Sequence, residues 1–453
     1  MAIQSINPYT GELLQEFEEL SSGEIDGKLR LSVRAFSEWK EVPLERRARL
    51  MASAGAVLRN NKRKLAEIIT REMGKVIAQA EAEIEKCALV CDYYADNAEK
   101  YLQNEPLDGS EGEAFIAYDP LGPVLAIMPW NFPFWQVFRF AAPNLTVGNV
   151  GLLKHASNVP QCSLAIEEVF REAGFPEGVF QSLLISSSKM EDVIGKDEIQ
   201  AVTLTGSEDA GRKVAEKAGA GLKKTVLELG GSDAFIILED ADLEAAAKTA
   251  VKARMINCGQ SCIAAKRFIA VESVADKFLE LFKESFDKLK FGDPMREDSD
   301  YGPLARKDIA ETLEKQVRKS VELGASIVYG KGKAEGGVFF HPVIMTGVKE
   351  GMPAHREELF GPVAVFYTAK DEHEAVAIAN DSTFGLGASL WTRDIEKSQN
   401  IARKLEAGSV FVNGLVASHP KAPFGGIKSS GYGRELSYVG LREFMNVKTI
   451  WIR

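Results

Sequence analysis

The chain has 453 residues, 45% hydrophobic and 26% charged, and 65 acidic side chains against 55 Lys and Arg give a net charge of −10. This composition describes a globular protein with sizeable cores in roughly two or three domains, and it excludes disordered, collagen-like and disulfide-scaffold classes. No run of like charges forms a basic arm, so nucleic acid is not an expected partner.

Taken in order, Met1 to Thr10 lacks a basic stretch followed by an apolar one, so no signal peptide is expected. Arg46 to Ala80 reads as long, charged amphipathic helices. The most apolar segment, Val124 to Leu153, is interrupted by prolines, Asn131 and Arg139, which argues against a membrane span. From Asn149 onward helical periods alternate with short apolar runs, the pattern of βαβ units and a mostly parallel sheet. Cys162 to Ala173 has helical spacing and stops at Gly174, and Val179 to Ile185 reads as a strand after Pro176 and Gly178. Ala201 to Leu204 reads as a buried strand before a helix over Ala210 to Lys217. Val226 to Leu229 is a third strand that runs into Gly230 and Gly231. A second α/β half is expected, with strands near Phe235 to Leu238, Phe268 to Val271, Ala364 to Tyr367, Ala388 to Trp391 and Ser409 to Val412. Five cysteines, an odd number, point to reduced thiols in the cytoplasm.

Each chemical signal has a structural alternative. Asn131 lies between Pro129 and Pro133, which hold it in a non-helical turn where its amide can donate to an oxyanion; an Asx turn or helix cap is the other reading. Glu228 ends an apolar strand, where desolvation raises a carboxyl pKa as a general base requires, or it caps the next turn. Cys262 follows Gly259, which lets the backbone approach a ligand, so its N–H could serve as a second oxyanion donor; the other reading is a buried, inert thiol. Gly206, Ser207 and Gly211 open a helix whose N–H groups can face a pyrophosphate, although the full G-x-G-x-x-G pattern is absent. Cys87 with Cys91 and Cys258 with Cys262 have no histidine close in sequence, so no metal is expected. Walker A, H-E-x-x-H and G-x-S-x-G patterns do not occur, which argues against a P-loop phosphotransferase, a zincin and an α/β hydrolase.

The chain carries, in order, Pro129 to Pro133 (PWNFP), Lys154, Thr205 to Ser207, Glu228 to Gly231 (ELGG), Gly259 to Cys262 (GQSC), Glu358 to Pro362 (ELFGP) and Pro423 to Gly426 (PFGG). This set resembles the aldehyde dehydrogenase superfamily over nearly the whole chain, and within it most closely the succinate-semialdehyde dehydrogenase branch. The resemblance implies an α/β fold with a Rossmann-type cofactor domain over residues 1–104 and 120–229, a catalytic domain over 230–428, and oligomerisation segments over 105–119 and 429–453 in a homodimer or homotetramer. It implies Cys262 as nucleophile, the Asn131 amide and the Cys262 backbone N–H as oxyanion donors, and Glu228 as the base that activates water on a thioester. Trp130, Lys154, His155, Ser157, Gly206, Ser207, Leu229, Glu358 and Phe360 would line the cofactor site.

NAD-preferring relatives often carry Glu three residues after the lysine, where this chain has Ser157. A small neutral residue beside Lys154 and His155 leaves room for a 2′-phosphate, so the expected cofactor is NADP, with NAD the alternative. Arg139, eight residues past Asn131, would sit roughly 12 Å along a helix and point back toward its start, where it could meet a substrate carboxylate. An Arg six residues before the nucleophile is missing, since Ile256 stands there, and Arg254, Ser418 or Lys421 are the candidate replacements. The expected partner is therefore a small acid semialdehyde. The rival readings are another aldehyde, such as glutarate semialdehyde or a neutral aliphatic one, and a cofactor-independent thiol esterase.

Overall fold

Two sheets, each mostly parallel, set the architecture of the computed structural model, which describes residues 3–108, 112–334 and 337–453. Residues 1–2 and 109–111, within two of the expected segments, lie outside the described residues. The first sheet has the order Gly431–Tyr432, Lys224–Glu228, Ala201–Thr205, Pro123–Met128, Val150–His155, Phe180–Ser182, parallel except for the first, antiparallel strand. Val150–His155 and Ala201–Thr205 are buried along their whole length because helices cover both faces. Strand order reverses between Pro123–Met128 and Ala201–Thr205, and a crevice opens at the carboxyl ends of strands on either side of such a switch point.

The second sheet runs Ser326–Gly330, Val343–Thr346, Val363–Ala369, Arg267–Val271, Ala234–Ile237, Gly387–Trp391, Ser409–Val412, with only the first pair antiparallel. Each sheet has its own apolar packing on both faces, around Phe138, Phe170 and Leu204 in one and Phe235, Phe278 and Ile236 in the other. A third sheet pairs Met445–Ile452 with Glu113–Pro120 and Glu105–Pro106. Met445–Ile452 is its edge, and Val447, Trp451 and Ile452 are exposed there. Residues 431–432, expected with this arm, instead pair with Leu227 and Glu228 in the first sheet, because Gly431 at φ 109° lies against the Leu227 carbonyl where a Cβ would not fit.

The expected helix over Cys162 to Ala173 spans Pro160–Glu172, with Pro160 in the first turn where its missing N–H is no loss. The strand expected over Val179 to Ile185 shortens to Phe180–Ser182. The amphipathic stretch from Arg46 resolves into Leu44–Asn60, Lys62–Met73 and the start of Ile77–Tyr101; the first and third pack against the wholly buried helix Trp135–Val147, and Lys62–Met73 packs on Ile77–Tyr101 and Pro160–Glu172. Among the described residues no helix is long and apolar enough to cross a membrane.

Candidate active site

Lys154, Pro129 to Asn131, Thr205 to Ser207 and Glu228 to Gly230 all leave the carboxyl edge of the first sheet. Cys262 and Glu358 to Phe360 come from segments that precede strands Arg267–Val271 and Val363–Ala369 of the second sheet. Between the two groups lies a cavity of about 280 Å³ lined by Trp130, Asn131, Gln136, Thr205, Gly206, Ser207, Leu229, Cys262, Glu358 and Phe360, among others. Close approach depends on the glycines of the ELGG run. A Cβ on Gly230 would come within 2.7 Å of Glu358 Oε2, and one on Gly231 within 2.6 Å of the Cys262 carbonyl.

The Cys262 segment enters through three successive left-handed residues, Asn257, Cys258 and Gly259, at φ 50°, 53° and 76°. Non-glycine residues hold that conformation at a cost of roughly 1–3 kcal/mol each, so the surroundings must fix it. Gln79 Oε1 accepts from Asn257 N at 2.8 Å, and Asn257 Nδ2 donates to the Asn131 carbonyl at 2.7 Å and the Gln260 carbonyl at 3.2 Å. Asn131 Nδ2 donates to the same Gln260 carbonyl at 3.1 Å, while Gln136 Nε2 donates to Asn131 Oδ1 at 3.1 Å. Those two bonds set the Asn131 amide with its NH2 group toward the Cys262 segment, the orientation an oxyanion donor needs. Gln136 was not singled out from sequence; its place in the first turn after the PWNFP loop is the signal that could have found it.

Burial pushes the Cys262 thiol up to about 12, and the positive charge of Lys266 offsets only part of that. Lys266 Nζ donates to the carbonyls of Ser261 and Cys262, at 2.8 and 2.6 Å, and to Glu358 Oε1 at 3.0 Å. Glu358 Oε1 also accepts from Gly231 N at 3.1 Å, so one carboxylate ties the ELGG run to the cysteine segment.

Glu228 is 2% exposed and lies behind the cavity wall rather than on it. Its Oε1 packs over Gly425, where a Cβ would come within 2.6 Å. Burial first, then the negative charge of Glu435, raise it well above the usual carboxylate range, while Arg139 and Arg434 pull the other way. Withdrawn in this way, the carboxyl favours its protonated form more than a solvated carboxylate does.

Several expected site residues sit elsewhere. Arg139 does not offer a free fork at the helix start. It lies in the wholly buried helix Trp135–Val147, pairs with Glu435, donates to Thr205 Oγ1 at 3.3 Å and lies 4.4 Å from the Phe424 ring centroid. A buried guanidinium requires such partners, and it found them within the protein. Arg254 is fully buried, donating to the carbonyls of Val363 at 3.2 Å and Gly259 at 2.7 Å, so it braces the cysteine segment instead of facing a ligand. His155 is not a cationic neighbour of a phosphate. Its ring nitrogens meet the carbonyls of Pro133 at 2.9 Å and Met128 at 3.2 Å, and burial lowers it to about 4, which keeps it neutral. Ser418 is buried and accepts from Lys86 Nζ and Trp135 Nε1.

The remaining residues suit a dinucleotide phosphate. Lys154 is 8% exposed and pairs with no carboxylate among the described residues, and Ser157, three residues on, is exposed. A buried, uncompensated ammonium beside an open serine fits a phosphorylated ribose. Trp130 and Phe360 meet edge to face at 5.8 Å on the cavity wall. The helix start at Ser207 is a weaker seat for pyrophosphate than expected, since Ser207 Oγ caps Ala210 N and Glu208 and Asp209 already compensate the first turn.

A model of the aldehyde dehydrogenase family matches residues 1–450. The chain is 52% identical over 454 residues to a probable succinate-semialdehyde dehydrogenase [NADP(+)] of Synechocystis, with all of both chains covered. It is 47% identical over 456 residues to succinate-semialdehyde dehydrogenase [NADP(+)] 1 of Mycobacterium tuberculosis, again with full coverage of both. A crystal structure of succinic semialdehyde dehydrogenase from Streptococcus pyogenes in complex with NADP+ superimposes with a TM-score of 0.97 at 40% identity, covering 100% of each chain.

Proposed function

The chain belongs to the aldehyde dehydrogenase family, and on that premise we propose that it oxidises succinate semialdehyde to succinate with NADP, or alternatively NAD, as hydride acceptor. The observation that carries the reading is the apposition of Cys262 and the oriented Asn131 amide in one cavity, held there through the shared Gln260 carbonyl. The names of the relatives at 47–52% identity support the substrate and the cofactor.

Cys262, once deprotonated, adds to the aldehyde carbonyl carbon, and the oxygen becomes an alkoxide held by the Asn131 amide and the Cys262 backbone N–H. A nicotinamide cofactor, when bound, would supply the acceptor for the hydride that leaves the former aldehyde carbon. Cys262 is then acylated as a thioester. Glu228 turns from its niche under Gly425 into the cavity, where water and the loss of desolvation bring its pKa down; it gives any proton it holds to solvent and, as carboxylate, accepts one proton of the attacking water while the hydroxide adds to the thioester carbon. The thioester carbon–sulfur bond breaks, succinate leaves and Cys262 is restored. Lys154 and Ser157 would hold the 2′-phosphate end of the cofactor, Glu358 the ribose, and Trp130 and Phe360 the nicotinamide end.

The test is the rate of reduced-nicotinamide formation with succinate semialdehyde and with butanal, each with NADP and NAD. Preference for succinate semialdehyde with NADP is expected, and turnover of butanal alone would overturn the substrate. The exposed edge Met445–Ile452 is an aggregation-prone strand that a second subunit would cover, so the working form is a homodimer or homotetramer. Deleting Lys448 to Arg453 should lower the mass seen by light scattering, and an unchanged mass would refute the arm. A nucleophilic thiol that must stay reduced, and five free cysteines, support a reducing compartment such as the cytoplasm.

A further inference from the structure

Four successive carbonyls in the bend that delivers the nucleophile, from Gly259 to Cys262, each accept from a buried side chain. Arg254 serves Gly259, Asn257 and Asn131 serve Gln260, and Lys266 serves both Ser261 and Cys262. Lys266 is 1% exposed. Its backbone is pinned between Asp233, at the head of strand Ala234–Ile237, and Val365 in strand Val363–Ala369. Its N–H donates to the Asp233 carbonyl at 3.0 Å, and its own carbonyl accepts from Val365 N at 2.8 Å. From that fixed point the ammonium reaches back four residues and uses all three of its N–H groups, on the Ser261 carbonyl, the Cys262 carbonyl and Glu358 Oε1. Neutralising Glu358 takes only one of them. The other two go to the carbonyls on either side of the Cys262 Cα.

The Ser261 carbonyl and the Cys262 N–H belong to one planar peptide unit and point in opposite directions. A charge-assisted hydrogen bond at the oxygen draws electrons toward it and makes the N–H at the other end a stronger donor. That N–H donates to no group among the described residues, so it is left for an oxyanion at Cys262. Ala264 N also donates to the Ser261 carbonyl, at 3.2 Å, so the turn closes without Lys266. What Lys266 alone adds at this peptide is positive charge.

We propose that Lys266 is a positioning residue for the oxidation, acting through the Ser261–Cys262 peptide to aim and polarise the N–H that holds the alkoxide. This rests on the reading of Cys262 as the nucleophile of an aldehyde oxidation. Lys266 lies behind the peptide and touches none of the reacting atoms. Its charge also favours the Cys262 thiolate, so the two effects have to be separated by experiment.

Lys266→Met and Lys266→Gln are compared with the unsubstituted full-length enzyme in two reactions of the same cysteine. Stopped-flow absorbance at saturating NADP and succinate semialdehyde reads the first reduction of cofactor, which passes through the alkoxide. Alkylation by iodoacetamide without cofactor reads the thiolate alone, because sulfur displaces iodide at a saturated carbon and no alkoxide forms. Lys266→Met should slow the first reduction at least about tenfold more than it slows alkylation, since a weakened oxyanion donor acts only on the former. KM for succinate semialdehyde should stay within about twofold. Lys266→Gln keeps N–H donors without the charge and should reduce cofactor faster than Lys266→Met, the reverse of the order that filling the space with an unbranched apolar chain would give. It carries the same comparison with alkylation if Lys266→Met does not fold. Equal slowing of the two reactions means that Lys266 acts on the thiolate alone and overturns the proposal, as does a Lys266→Met enzyme that reduces cofactor as fast as Lys266→Gln. An unsubstituted enzyme that forms no reduced cofactor with succinate semialdehyde or butanal overturns the reading of an aldehyde oxidation itself.

Discussion

Asn257 donates from its side-chain amide to the backbone carbonyl of Asn131 at 2.7 Å, so the residue that starts the bend toward the nucleophile also fixes the loop that carries the oxyanion donor. This hydrogen bond, together with the donation from Asn131 Nδ2 to the Gln260 carbonyl, sets the distance between two parts of the site that come from different sheets. Asn257→Gly keeps the left-handed backbone free of strain and removes only the amide. It should lower kcat roughly 10²-fold with little change in KM, since a misplacement near 1 Å costs about that much. Leaving the Asn131 carbonyl buried without a donor should also lower stability by about 1–3 kcal/mol. Steady-state kinetics and thermal unfolding check both, and a variant with unchanged kcat would show that the two loops are fixed independently.

Glu228 is held behind the cavity wall, where burial raises its pKa, so its part in the reaction is expected after acylation. Glu228→Gln should keep a pre-steady-state burst of reduced cofactor while steady turnover falls roughly 10²- to 10⁴-fold, the usual contribution of a general base. Stopped-flow absorbance separates the phases. Loss of the burst along with turnover would mean that Glu228 also acts on Cys262 or on hydride transfer.

The first sheet was legible because its strands are short apolar runs punctuated by Gly and Pro, and the segments that gather round the cavity were legible because each ends in an unusual local pattern, such as PWNFP or ELGG. The strand Ser326–Gly330 was missed for the opposite reason: it is a mostly exposed edge without an apolar run. Arg139 was misjudged through spacing alone. Its helix is buried on every side, and a helix buried all round forces any charge on it to be paired inside the protein. Its partner Glu435 is remote in sequence, as is Ser418 from Lys86, so only the folded chain brings either pair together.

The Cys262 thiol, pushed up to about 12 by burial, gives the free enzyme a distinctive pH dependence. Its pKa is raised, so the thiolate fraction at pH 7 is small and grows about tenfold with each pH unit until the pKa is reached. Inactivation by iodoacetamide without cofactor should therefore keep accelerating from pH 7 to pH 10. A rate that levels off near pH 8.5 would mean that the resting thiol is not desolvated as the structure describes.

Beneath the PWNFP loop lies a buried ion pair whose effect should be structural and large. Lys75 and Glu83 are 0% and 1% exposed at their side chains. Glu83 Oε1 accepts from Phe134 N and Trp135 N at 2.9 and 3.0 Å, satisfying the start of the buried helix, and Lys75 Nζ lies 3.8 Å from the centroid of the Phe132 ring. The pair thus fixes the exit of the loop that carries Asn131. Removing one partner leaves a buried charge uncompensated, which costs about 3–5 kcal/mol, whereas replacing both with apolar residues of similar volume is often neutral. Glu83→Gln should therefore lower the midpoint of chemical denaturation by far more than a surface substitution would. Lys75→Met combined with Glu83→Gln should recover much of that loss, because no isolated ammonium remains, while kcat stays low if the loop exit is still loose. A double variant no more stable than Glu83→Gln alone would show that the capping of Phe134 and Trp135, and not the ion pair, supplies the stability.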